Sequence, residues 1–111
     1  MSAVAKRLEL ITTKTGIKER EVAQLLQTTP QTVYRWRNGQ VEPHLKHLRL
    51  ILDLAFAADE LAELYPPDEA RMWLFSRHKL LDAQSPVDVL ARGDIDTVLQ
   101  LIAQLKDAAY A

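Results

Sequence analysis

An all-α fold is what this 111-residue sequence predicts, and three observations carry the prediction. Its three glycines, Gly16, Gly39 and Gly93, each fall where a helix should stop. Its five prolines, at 30, 43, 66, 67 and 86, sit near helix starts or between helices. Nowhere does a Val/Ile/Tyr alternation run long enough for a strand. The length suits one compact domain, or two small helical subdomains sharing a core.

Seven helices follow in order. The first takes Ser2 as N-cap and runs to about Lys14, where Gly16 breaks it. The second spans roughly Lys18 to Leu26 and buries Val22, Ala23 and Leu26. The third has Thr29 as N-cap with Pro30 at its first position, and ends at Asn38 before Gly39. A fourth follows Pro43 toward Leu64. Its stretch from Leu50 to Ala58 is apolar except for Asp53, which marks a central or interface helix. Pro66-Pro67 punctuates the chain and divides it into residues 1–65 and 66–111. The fifth helix runs from about Asp68 to Arg77, with Asp68 and Glu69 in its first turn. Ser85-Pro86 opens a short sixth helix ending at Gly93. Asp94 caps the last, which reaches about Ala109 with Ile95, Val98, Leu99, Ile102, Leu105 and Ala109 on one face. Leu101 and Ala108 lie off that face and widen it.

Composition excludes several classes. Zero cysteine removes disulfides, zinc fingers and cysteine nucleophiles, and fits a reducing cytoplasm. The amino terminus has no long apolar segment, so neither a signal peptide nor a membrane span is expected. A net charge of −1 hides a split: residues 1–50 carry nine Lys/Arg against four Asp/Glu, and residues 51–111 carry five against eleven. Halves of +5 and −6 point to two different partners, or to one half that repels what the other attracts.

The basic half holds the strongest local signal. A helix-turn-helix needs a small residue where its helices cross, here Ala23. It needs apolar residues locking them together, here Val22, Leu26, Val33 and Trp36, and a tight turn, here Gln27-Thr28-Thr29. The second helix then offers Gln31, Thr32, Tyr34, Arg35, Arg37 and Asn38 to a DNA major groove. Gln and Asn pair bidentately with adenine, Arg with guanine, and a Thr methyl packs on the thymine methyl. The amino end of that helix points N–H groups at a phosphate. Arg37, Lys18, Lys46 and His44 suit phosphates, which position without specifying. One departure is Gln27, at the turn position that usually carries glycine.

Catalytic and metal sites find little footing. His44 and His47 stand at i, i+3, but with no cysteine and no third nearby histidine they read as solvated side chains. His78 sits alone in the basic run Arg77-His78-Lys79. Asp94 and Asp96 begin a helix, where capping explains them. Neither a Ser-His-Asp order nor a Gly-rich phosphate loop occurs. No enzyme activity, cofactor or metal is expected.

The acidic half reads Trp73-Leu74, Leu81, Ser85-Pro86-Val87-Asp88-Val89-Leu90, Arg92-Gly93-Asp94, Val98, then a helical end with Tyr110. That order resembles the toxin-binding C-terminal domain of the Xre/MbcA/ParS antitoxins, and is most similar to the short MbcA type. Their usual wording is Trp-Leu, a Leu-Gly-Gly loop, Pro-Leu-x-Leu-Leu, a Gly-acid pair and a final helix with Val and Tyr. Asp82-Ala83 replaces the two glycines here, so a differently shaped loop is expected. The resemblance implies an antitoxin that neutralises a RES-domain toxin, an NAD-consuming enzyme, by covering its active-site entrance. It also implies repression of its own promoter.

Residue by residue, Trp73, Leu74, Leu81, Pro86, Leu90 and Val98 read as packing residues. The candidates for toxin contact are Gln104, Lys106, Asp107, Tyr110 and Ala111, because a terminus enters a cleft that a folded face cannot. Tyr110 and the α-carboxylate of Ala111 would offer a ring and an anion to an NAD cleft; the plain alternative is a frayed end with Tyr110 packed on its own helix. Operator geometry implies a homodimer within a larger toxin–antitoxin assembly. The apolar run of the fourth helix and Leu101 are the surfaces for self-association. Two rivals stay open: a free-standing dimeric repressor without a toxin, and a helix-turn-helix used purely for protein contact.

Overall fold

The computed structural model describes residues 2–110 and contains seven α-helices. They are α1 (Ala3–Thr15), α2 (Glu19–Leu25), α3 (Pro30–Arg37), α4 (Leu45–Leu61), α5 (Pro67–Phe75), α6 (Pro86–Ala91) and α7 (Ile95–Tyr110). A single 3-10 turn, Lys79–Leu81, lies between α5 and α6. No strand occurs among the described residues; His78 and Gln84 form an isolated antiparallel bridge.

Short polar side chains start the helices as the sequence predicts. The Ser2 hydroxyl accepts the Ala5 N–H at 3.0 Å, and the Thr29 hydroxyl accepts that of Thr32 at 3.1 Å. Ser85 does the same for Asp88 at 3.3 Å. Asp94 receives the Thr97 N–H at 3.2 Å and the Thr97 hydroxyl at 2.6 Å, which holds its carboxyl below the usual range. Each bond satisfies an amide that the first helical turn leaves without a partner. Gly16, at φ 69°, closes α1 in the left-handed conformation glycine adopts without a Cβ clash.

Two helices stop earlier than expected. Instead of reaching Arg77, α5 ends at Phe75, because the Ser76 hydroxyl donates to the Met72 carbonyl at 2.6 Å while its own backbone turns extended. The chain then enters the His78–Gln84 bridge, where the His78 N–H donates to the Gln84 carbonyl at 3.1 Å. The end of α4 is Leu61 rather than Leu64, and both Leu64 and Tyr65 donate back to the Leu61 carbonyl at 2.9 Å.

Seventeen residues long, about 25 Å at 1.5 Å per residue, α4 is the central helix. It buries Ile51, Leu54, Ala55, Ala57, Ala58 and Leu61, and packs against α1, α6 and α7. One hydrophobic cluster runs from Val4 in α1 to Ile102 in α7. Leu101 corrects the expectation for α7: it is buried, so it is no free surface for self-association. Because α7 lies against both α4 and α6, it buries a wider arc, Val98, Leu101 and Ile102. Ala109 moves the other way and is exposed, since burial on α7 stops short of its last turn.

Two ionic ties cross from the first 65 residues to the rest. The Arg71 guanidinium on α5 pairs with the Glu21 carboxylate on α2. On α7, the Lys106 ammonium lies 2.7 Å from Glu60 Oε2 and also pairs with Glu63, just past the end of α4.

Candidate nucleic-acid and partner interfaces

The helix-turn-helix is built from α2 and α3. Val22, Ala23, Leu26, Val33 and Trp36 are all buried between them and their neighbours. The Trp36 ring stands 5.3 Å from the His47 ring, centroid to centroid, and ties α3 to α4. Between the helices Gln27 takes φ 55°, so it accepts the left-handed conformation rather than avoiding it. The chain turns there, and the Thr28 N–H donates to the Ala23 carbonyl at 2.9 Å.

Of the six base-reading candidates, Gln31, Tyr34, Arg35, Arg37 and Asn38 are exposed, and Thr32 is half-buried. The Thr32 hydroxyl is shared with that of Thr29 at 2.9 Å, inside the cap of α3. Arg37 places Nε 2.6 Å from Glu19 Oε1 and its guanidinium carbon 5.4 Å from the Tyr34 ring centroid. Arg37 and Tyr34 therefore brace each other and α2. Among the described residues no side-chain hydrogen bond engages Gln31, Arg35 or Asn38 (the hydroxyl bond on α3 is that of Thr32), and Arg35 joins no ion pair. Lys18, His44 and Lys46 are exposed around this face.

In the acidic half, Leu74, Leu81, Pro86, Leu90 and Val98 are buried. Trp73 is half-buried, packed against the core, with its ring 5.0 Å from the His78 ring. His78 Nε2 in turn lies 3.0 Å from the Trp73 carbonyl oxygen. Asp82 (φ 56°) and Ala83 (φ 64°) are both left-handed. The loop thus has the backbone that a glycine pair adopts freely, made from residues that reach it at a cost.

The toxin-contact candidates separate into groups. Gln104, Asp107 and Tyr110 are exposed, Tyr110 by 68%. Helical geometry persists to Tyr110, and its exposed ring is not packed back on the helix. Lys106 is engaged within the chain: hydrogen bonds to Glu60 and then Glu63 push its pKa up to about 12. Ala111 lies outside the described residues. Sequence reasoning missed Met72 and Leu80, which are 67% and 71% exposed. A Leu80-Leu81 pair reads as core, but a 3-10 turn sends successive side chains about a third of a turn apart, and only Leu81 points inward. Among the described residues no helix is long and apolar enough to cross a membrane, and no three His/Cys/Asp/Glu side chains gather at a metal-binding spacing.

A buried helix pair with a polar, outward second helix, joined to a further helical region with an exposed end, defines a helix-turn-helix protein. Residues 5–54 match the family described as Helix-turn-helix. The chain is 35% identical over 95 residues to the mycobacterial cidal antitoxin MbcA of Mycobacterium tuberculosis, covering 86% of this chain and 84% of that one. It is 30% identical over 96 residues to a probable mycobacterial cidal antitoxin of the same species, covering 86% and 81%. The crystal structure of the M. tuberculosis MbcT–MbcA toxin–antitoxin complex contains a chain that matches this one over 100% of both, with a TM-score of 0.86 at 31% identity. The chain belongs to the MbcA antitoxin family, with an Xre-type helix-turn-helix at its amino end.

Proposed function

We propose that this chain is the antitoxin partner of a RES-domain toxin that consumes NAD, and that it also represses its own promoter. Residues 66–111 bind the toxin and residues 1–65 bind DNA. The observation that carries the first part is the end of α7. Lys106 fixes the helix to Glu60 and Glu63, and residues 107–110 beyond it are all exposed. A short arm held at its base and bare at its tip loses little conformational entropy when it enters a cleft. Asp107 and Tyr110 supply an anion and a ring, the complement of a site built for a dinucleotide. Gln104, six residues or about 1.7 turns before Tyr110, faces the rim of that cleft.

Promoter binding follows from the uncommitted polar groups of Gln31, Arg35 and Asn38 on α3. One short helix reads too few bases for tight binding, so two copies act together. Leu52 and Phe56, 40% and 55% exposed one turn apart on α4, are the surface for that homodimer.

Coexpression with the product of the adjacent gene, copurification and an NAD-depletion assay test the proposal. The expected result is a stable complex with NAD preserved, and renewed NAD loss when Tyr110 and Ala111 are deleted. If the neighbour neither copurifies nor consumes NAD, the free-standing repressor replaces this reading. Full protection by the truncated chain would disprove insertion of the arm.

A further inference from the structure

The acidic half contains five Lys/Arg, and the fold uses them unequally. Arg71 and Lys106 are spent on Glu21, Glu60 and Glu63. Arg92, at the carboxyl end of α6, is carried back across the molecule to α4. There it shares a groove of about 360 Å³ with Lys46 and Arg49. All three side chains are exposed, and none joins an ion pair among the described residues. Asp53 is the single acid lining this groove, and burial pushes its carboxyl up, with Arg49 opposing and Asp96 adding to the shift. Three cations therefore line the groove with one acid, while Asp94 lies near enough to Arg92, and Asp96 to Asp53, for each to act on the other electrostatically.

The groove is continuous with the helix-turn-helix. Lys46, Leu50 and Ala91 also line a neighbouring cleft whose other wall contains Gln27, the residue that makes the turn before α3. We infer that Lys46, Arg49 and Arg92 form a second phosphate-binding surface, which grips the DNA backbone beside the bases read by α3. It rests on the DNA-binding reading above. Phosphate contacts of this kind add affinity and fix register without adding sequence information. The surface combines one residue from the acidic half with two from the basic half, and no division of the chain at residue 65 contains it.

Fluorescence anisotropy with the full chain tests the inference. The probes are labelled duplexes tiling the DNA upstream of its gene, and a shuffled duplex of equal length, titrated at several salt concentrations. Arg92→Gln and Arg49→Gln are expected to weaken binding to both kinds of duplex by the same factor. Each should reduce the slope of log K against log[salt] by about 0.9, so that affinity lost between about 50 and 200 mM salt shrinks about 3.5-fold. Arg92→Lys should restore the slope. Arg77→Gln, which removes the same charge outside the groove, should leave it unchanged.

An unchanged slope in Arg92→Gln while the wild type still binds overturns the groove and leaves the helix-turn-helix reading standing. The same holds if Arg77→Gln costs as much, or if Arg92→Gln impairs only copurification with the neighbouring gene's product. Failure of the wild-type chain to bind any duplex overturns both.

Discussion

Ala83→Gly should stabilise this protein, although it deletes a methyl group and loosens the unfolded chain. Ala83 sits at φ 64° directly after Asp82 at φ 56°. A non-glycine residue held in the left-handed region costs about 1–2 kcal/mol through the clash of its Cβ with the following carbonyl. Glycine gives back about 0.5–1 kcal/mol through its larger unfolded-state freedom. Ala83 is exposed, so removal of its methyl leaves no cavity. The difference is a gain of about 0.5–1 kcal/mol, which for a chain of this size raises Tm by roughly 2–4 °C. Ala103→Gly is the matched control. It places the same substitution on the exposed side of α7, inside a helix, where glycine costs about 1 kcal/mol. Thermal melts followed by circular dichroism should show the two variants moving in opposite directions. A shift of the same sign and size in both would refute the assignment of strain to this turn.

Three further outcomes are expected. Arg35→Ala should lower affinity for the preferred promoter duplex by about 1–3 kcal/mol, roughly 5- to 150-fold, with Tm unchanged because the side chain is exposed; equal loss on a shuffled duplex would assign Arg35 to phosphate instead. Phe56→Glu should convert a dimer to a monomer in light scattering with Tm held within about 0.5 kcal/mol equivalent, and an unchanged mass would move the dimer contact off α4. Acid should destabilise the fold. Burial raises the Glu21 carboxyl, but the Lys18 N–H and Arg71 outweigh it and leave it low. Glu63 is lowered by Lys106, and Asp94 by Thr97. All three contribute stability that is complete above their unfolded values of 4.5, 4.5 and 3.8, and that fades as pH falls through their lower folded values. Asp53 has the opposite sign, so Glu21→Gln rather than bulk acid titration isolates the effect. A fall in Tm between pH 6 and about pH 3 that is the same in Glu21→Gln as in the wild type would contradict the role given to Glu21.

Much of this was legible in the sequence because capping and turn residues act locally. Ser2, Thr29, Ser85 and Asp94 each cap the helix expected of them, since an N-cap bond spans only three residues. The helix-turn-helix core was legible for the same reason: Val22, Ala23, Leu26, Val33 and Trp36 lie within fifteen positions. What escaped depends on partners distant in the chain. Nothing near Lys106 announces Glu60 and Glu63, and nothing near Arg92 announces Lys46 and Arg49. Leu101 lay off the expected stripe because one helix period assumes one neighbour, and α7 has two. The early end of α5 turned on a single hydroxyl, Ser76, whose choice between solvent and the Met72 carbonyl is invisible to composition.

The shared wall of α4 has a consequence for how the protein is lost. Ile51, Leu54 and Leu61 belong to the same buried cluster as Val4 at one end of the chain and Ile102 at the other. Opening either half uncovers that wall, so the halves unfold cooperatively and a protease that engages one destroys both. On the function proposed here, promoter release and toxin release then share a single half-life. On that same proposal, no fragment is expected to keep the gene silent once the toxin is free, and resynthesis would begin as protection ends.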